Sequence, residues 1–423
     1  MEALLALRPG LPMRRIVAGV VSLALVIWAL VAASLLSNSA GLRPGPNDYN
    51  IAAWELRNFP AKWLFAFGEL FRERPSVTAE NAGLKRFFQL TREIESMERE
   101  ISDAGQRGLE PDVSRKQSLE ARRRERDRLE NRVEATVEGR LTAVLKQAGI
   151  TRSLGPLGDV VWPPVDFELT RSPYTLVVSP RDRIELQSSD LLREDLSTQA
   201  LEKIESDVAR RDNVSTLAFP TGGIGAYPTI IDYPTSYGEA VAVVAHEWMH
   251  NYLVFRPLGF NYYDSNALRT MNETVADLVG NELAGLVVNR WPLTDPAAPS
   301  APAPPRQRRP SSTQRLDIGA ELRRLRGEVD ALLAERRIDE AEALMEQRRQ
   351  ELAAQGVQIR KINQAYFAFT NLYAGAAGTP GATNPIGPKI DELRRRSSSL
   401  REFVWVVGGI RSVQALDRAL ASE

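Results

Sequence analysis

Cysteine is absent from this chain and histidine nearly so, with two in 423 residues. The first absence excludes disulfides, thiolate metal sites and a cysteine nucleophile. Any metal must then be held by His, Asp or Glu. Net charge is missing too, because Lys+Arg and Asp+Glu stand at 54 each. No overall field points to nucleic acid or to a strongly charged partner, and nucleic acid is not an expected ligand. No internal repeat of solenoid length is present.

Long apolar runs are also scarce, with one exception. Behind Arg8, Arg14 and Arg15 lies "IVAGVVSLALVIWALVAASLL", residues 16–36, 21 residues without a charge. At ~1.5 Å per residue this run spans a ~30 Å hydrocarbon core. The pattern predicts a transmembrane anchor over 16–36, a cytoplasmic N-terminus over 1–15, and the rest of the chain outside the cytoplasm, tethered to membrane lipid by that one helix. A cleaved signal peptide is the second reading; its apolar core usually runs ~7–15 residues, and "SNSA" at 37–40 weakly resembles a cleavage site. Within the juxtamembrane stretch 37–78, residues 51–72 carry Trp54, Trp63, Phe65, Phe67 and Phe71 among Glu55, Arg57 and Lys62. They read either as a helix lying on the bilayer surface or as an amphipathic segment packed on the body of the protein.

Residues 79–149 read as a helical hairpin of coiled-coil character. Phe87, Leu90, Ile94, Met97 and Ile101 form an a/d seam, "AGQRGLEPD" (104–112) breaks it, and Leu129, Val133, Val137, Leu141 and Val144 line the second helix. The charges between them suit a solvated face. Residues 150–423 form the expected main domain. Short β-branched runs at 165–169, 174–179, 183–188, 214–220 and 227–232, interrupted by a helix near 197–211, predict a small mixed sheet. Mostly helices follow, broken by a Pro/Ala-rich flexible loop at 292–313. Asp339 and Glu342 resemble a capping box opening a helix, and another helix runs from about Gln358 to Tyr373. The fold class expected is α+β.

Both histidines fall within "VVAHEWMHNYLVF" (243–255), four positions apart, with Glu247 directly after His246. Chance placement of two histidines in this pattern is on the order of 1 in 3,000, so the spacing calls for a chemical explanation. Ser236 and Glu239 mark a helix start and Pro257 a stop, which puts His246 and His250 on one helical face, where two imidazoles can bind one ion. Glu247 lies beside that site and can reach a water there without being a ligand. A catalytic zinc needs a third protein ligand, and with no third histidine a carboxylate must serve. Glu273 opens "NETVAD" (272–277) on a second helical run; Glu273 and Asp277 are four apart, so Glu273 can bind metal while Asp277 fixes a histidine tautomer. Asp264 is the alternative third ligand.

His246-Glu247-Trp248-Met249-His250, followed by Asn272-Glu273 and Asp277, resembles the gluzincins, the thermolysin-like side of the HExxH metallopeptidases. The likeness covers roughly residues 215–290. It implies a zincin-like catalytic domain in which His246, His250 and Glu273 bind one Zn2+ and Glu247 is the general base, acting on a peptide or protein substrate. The 22 residues between His250 and Glu273 are a few more than the best-known gluzincins use, which places the chain in an outlying branch. Gluzincins stabilise the oxyanion with a tyrosine or histidine; Tyr366 is the first candidate here, with Tyr373, Tyr262, Tyr263 and Arg269 behind it. Zincins hold substrate along an edge strand, and Gly222 and Gly223 in "PTGGIGAYPTII" suit close backbone approach. The competing expectation is a membrane-anchored coiled-coil scaffold with a metal site that does no chemistry. The intact Glu247 speaks against it.

Overall fold

A computed structural model describes residues 45–51, 53–54, 75–106, 112–153, 158–293, 317–370 and 385–421. The predicted anchor (16–36), most of the aromatic segment (51–72), Tyr373, and all but the first two residues of the 292–313 loop lie outside them. Among the described residues no helix is long and apolar enough to cross a membrane. The first residues of the aromatic segment dock on the body: Ile51 is buried with Ala226 and Ile230, and Trp54 packs beside them.

The protein is α+β and mostly helical, with small sheets. Helices α1 (Val77–Gln106) and α2 (Val113–Gln147) form the hairpin. Of the expected seam, Phe87, Leu90 and Ile94 of α1 and Val133, Val137, Leu141 and Val144 of α2 are buried, whereas Met97, Ile101 and Leu129 are only half-buried. The outer face carries interhelical ion pairs, Arg86 on Glu125 and Arg122 on Glu93. Such exposed pairs are worth ~0–1 kcal/mol each, so apolar burial holds the hairpin.

Strands β1 (Arg152–Ser153) and β2 (Asp159–Val160) form a minor ladder. Then come β3 (Phe167–Leu169), β4 (Tyr174–Pro180), β5 (Ser188–Leu192), α3 (Thr198–Asp212), β6 (Val214–Pro220), β7 (Gly223–Ile224) and β8 (Thr229–Ile231). They form two three-stranded sheets in place of one mixed sheet: an antiparallel β5-β4-β6, and β3-β8-β7 with a parallel β3–β8 pair. The strand expected at 183–188 lies later, at Ser188–Leu192. The Ser179 hydroxyl accepts from Glu185 N–H and donates to Arg183 C=O, which folds residues 183–187 into an excursion and turns Leu186 into the core. The outer edge of β3 is covered by α2, whose Glu138 and Glu134 accept from the N–H groups of Phe167 and Leu169.

The helical half contains α4 (Tyr237–Val254), α5 (Pro257–Phe260), α6 (Asn266–Arg290), α7 (Ile318–Ala334), α8 (Ile338–Ala354), α9 (Gln364–Thr370), α10 (Ile386–Arg396), α11 (Leu400–Gly408) and α12 (Val413–Ala421). One core joins α4 and α6 to the hairpin, β3 and α10–α12. A second joins α7, α8 and α9, with α9 also lying on the sheet that contains β4 and β6. Asp339 and Glu342 do not cap α8, which starts behind Arg337. Both carboxylates are drawn to Arg181, which binds Glu342 through Nε and Nη2 at 2.8 and 2.7 Å.

Candidate metal centre

Helix α4 begins at Ser236, whose hydroxyl accepts from Glu239 N–H; Glu239 reaches back to Thr235, one residue short of a true capping box. Apolar residues cover most of its surface: Val241, Val244, Ala245, Trp248, Met249 and Leu253 are all buried. Trp248 also donates its indole N–H to Pro163 C=O at 2.8 Å, and Asn251 ties the helix to Ala226 and Thr229. His246, Glu247 and His250 occupy the turns facing α6 and β7. Helix α6 lies alongside, with Gly280 against the backbone of α4.

The two imidazoles converge. His246 Nε2 and His250 Nε2 stand 3.0 Å apart, and Glu273 Oε2 lies 3.5 Å from each. The opposite nitrogens are occupied: His246 Nδ1 donates to Asp277 Oδ1 at 2.9 Å and His250 Nδ1 donates to Asn272 Oδ1 at 2.7 Å. With a proton on each Nδ1, the two Nε2 atoms and a carboxylate oxygen converge on one point, a cluster that either a shared proton or a bound cation relieves. These three side chains could therefore hold a metal ion. Glu273 has a further partner, because Tyr262 donates its hydroxyl to Oε1 at 2.6 Å and leaves Oε2 for the histidines.

The electrostatics agree. Burial alone would push His246 down, but Asp277, Glu273 and Glu247 outweigh it and hold the imidazole well above its usual range. His250 is raised against burial chiefly by Glu273. Glu273 is held well below the carboxylate range, the two histidines overcoming the cost of burial. Glu247 moves the other way, raised by burial although both histidines pull it down. It is 7% exposed, and among the described residues nothing hydrogen-bonds to its carboxylate. A mostly buried residue whose carboxylate has no protein partner leaves room for a further group beside it.

Glu247 lies under β7. A Cβ on Gly223 would stand 2.6 Å from Glu247 Oε1 and would displace that side chain, whereas a Cβ on Gly222 would meet nothing within 4 Å. Strand β7 is the edge of its sheet. Asp232 N–H donates to Gly222 C=O, so the alternation of an antiparallel ladder turns the N–H and C=O of Gly223 to the open side.

The sequence named Asn272 as part of the motif and Tyr262 as an oxyanion candidate without the contacts they make to His250 and Glu273, and Gly280 was not singled out. Asp264 is exposed and is not brought to the histidines. Tyr366, the first candidate for oxyanion stabilisation, packs on Phe219 with ring centroids 6.1 Å apart and on Phe367 at 5.5 Å. No described contact joins it to the metal cluster, because its short helix is committed to the sheet that contains β6.

Compared with models of known families, with curated proteins and with solved structures, the chain matches none.

Proposed function

We propose that the chain is a zinc-dependent peptidase with a zincin-like catalytic domain of gluzincin type. The observation that carries this reading is Glu247, a mostly buried residue whose carboxylate has no hydrogen bond within the described protein, next to three converging ligand atoms. A site that only braced the fold would not need it. Ligand atoms at 2.0–2.2 Å around a tetrahedral zinc stand about 3.3–3.5 Å apart, which the separations of 3.0, 3.5 and 3.5 Å among His246, His250 and Glu273 approach. Two nitrogens and one oxygen suit zinc better than calcium or magnesium, which prefer all-oxygen sites.

Zinc, when bound, polarises a carbonyl and lowers the pKa of a water toward ~7. Glu247 takes the proton of the attacking water and returns it to the leaving amine. The open N–H and C=O of Gly223 receive the substrate backbone as an added strand. Stabilising the oxyanion falls to a nearby donor, and the contacts favour Tyr262, whose hydroxyl already stands at Glu273, over Tyr366. Placement outside the cytoplasm on a single membrane anchor rests on residues 16–36 alone. The test is hydrolysis of a quenched peptide library by the purified chain. Cleavage should be abolished by a chelator and restored by zinc; activity indifferent to chelation would refute the reading.

A further inference from the structure

Arg269 stands one turn before Glu273 on α6. Its guanidinium carbon lies 5.3 Å from the ring centroid of Tyr262 and 5.3 Å from that of Tyr263. Tyr262 in turn bonds Glu273 and stands edge-on to His250 at 6.3 Å. The guanidinium is thus one aromatic ring removed from the ligand set. Tyr263 is 62% exposed, so this end of the site opens to solvent.

Among the described residues the Arg269 side chain makes no hydrogen bond and no ion pair, and its Nε is buried without a partner. Other arginines behave differently: Arg86 grips Glu125 and Arg394 grips Glu282, each through two nitrogens. A guanidinium held by two rings with its donors unspent is prepared for a planar anion, and a carboxylate fits that fork through two parallel bonds.

We infer that Arg269 determines specificity by binding a carboxylate of the peptide substrate close to the bond that is cut. The inference rests on the peptidase reading and names its substrate class. The carboxylate has two possible sources, the free C-terminus of the substrate or an Asp or Glu side chain, and the same fork takes either.

The test measures binding as well as cleavage. Labelled peptide libraries are prepared in matched pairs, free acid against C-terminal amide and Asp/Glu against Asn/Gln, and their affinity for the zinc-loaded full chain carrying Glu247→Gln is read by anisotropy. The carboxylate member of one pair should bind about 10- to 100-fold tighter than its neutral counterpart. Adding Arg269→Gln should erase that gap while leaving the neutral peptide's affinity and the metal content unchanged. Arg269→Lys, which keeps the charge but not the fork, should show an intermediate gap and separates loss of recognition from loss of fold. A gap in the free-acid pair assigns the C-terminus, and a gap in the Asp/Glu pair assigns a side chain. No gap in either pair, or an Arg269→Gln change that weakens both members equally, overturns the inference. A gap in a chain that hydrolyses no peptide would remove the peptidase reading and keep the carboxylate site; hydrolysis without a gap does the reverse.

Discussion

A Cβ on Gly280 would stand 3.0 Å from the backbone nitrogen of His246 and 2.9 Å from the carbonyl oxygen of Ala242. Helices α4 and α6 therefore touch backbone to backbone, on the face that also carries Glu273 and Asp277. Gly280 sets how far those carboxylates stand from the histidines. Gly280→Ala should destabilise the protein by about 1–3 kcal/mol through overpacking and weaken metal binding. At Gly285, on the same helix, an added Cβ meets nothing within 4 Å, so Gly285→Ala should stabilise by about 0.5–1 kcal/mol. Denaturant unfolding of the two variants should give opposite signs; equal signs would mean that the helix contact does not govern the site.

Asn272 and Asp277 hold the far nitrogens of His250 and His246. Removing either partner frees its imidazole to rotate or to change tautomer. Asn272→Ala and Asp277→Asn should each cost roughly 10- to 100-fold in metal affinity with little change in helix content. Competition against a chelator of known affinity measures this, and wild-type retention in both variants would deny them the orienting role.

Tyr262 and Tyr366 separate by kinetics. Loss of an oxyanion donor costs about 100- to 1,000-fold in kcat. That loss is expected for Tyr262→Phe. Tyr366→Phe, altering a ring packed on Phe219, should leave kcat within a few-fold. The reverse pattern would restore Tyr366 as the donor.

Away from the site, Glu130 on α2 supplies a pH dependence of stability. Burial pushes its carboxyl from 4.5 up to about 7, although Tyr233 and Arg126 pull it down. Between those values the folded chain binds more protons than the unfolded one, so this group makes stability fall as pH rises from about 4.5 to 7. The loss amounts to about 3 kcal/mol by pH 8. Glu130→Gln should match wild type near pH 4 and exceed it at pH 8, as read by thermal unfolding across that range.

The helical face carrying His246 and His250 was legible because a local period of 3.6 residues decides it, and Glu273 could be named because the composition left no other kind of third ligand. The contacts of Asn272 and Tyr262, and the place of Gly280, were not legible. Each acts through a contact between α4, α6 and the turn that joins them, and nothing in the local pattern marks an ordinary asparagine, tyrosine or helical glycine for that. Strand β5 shifted for a similar reason, since one hydroxyl, Ser179, reorders five residues that alternate convincingly as a strand. The two helices of the hairpin were readable from their apolar spacing. Their other contacts were not: Arg140, buried on α2, bonds Tyr237 at the start of α4, and so joins the hairpin to the helix that carries His246 and His250.

The most direct measurement is zinc content together with peptidase activity in the wild-type chain and in Glu247→Gln. The expected result is one zinc per chain in both proteins, with activity reduced at least 100-fold in the variant. A wild-type chain that holds no zinc, or a Glu247→Gln chain as active as wild type, would contradict the assignment of His246, His250 and Glu273 as ligands around a catalytic base.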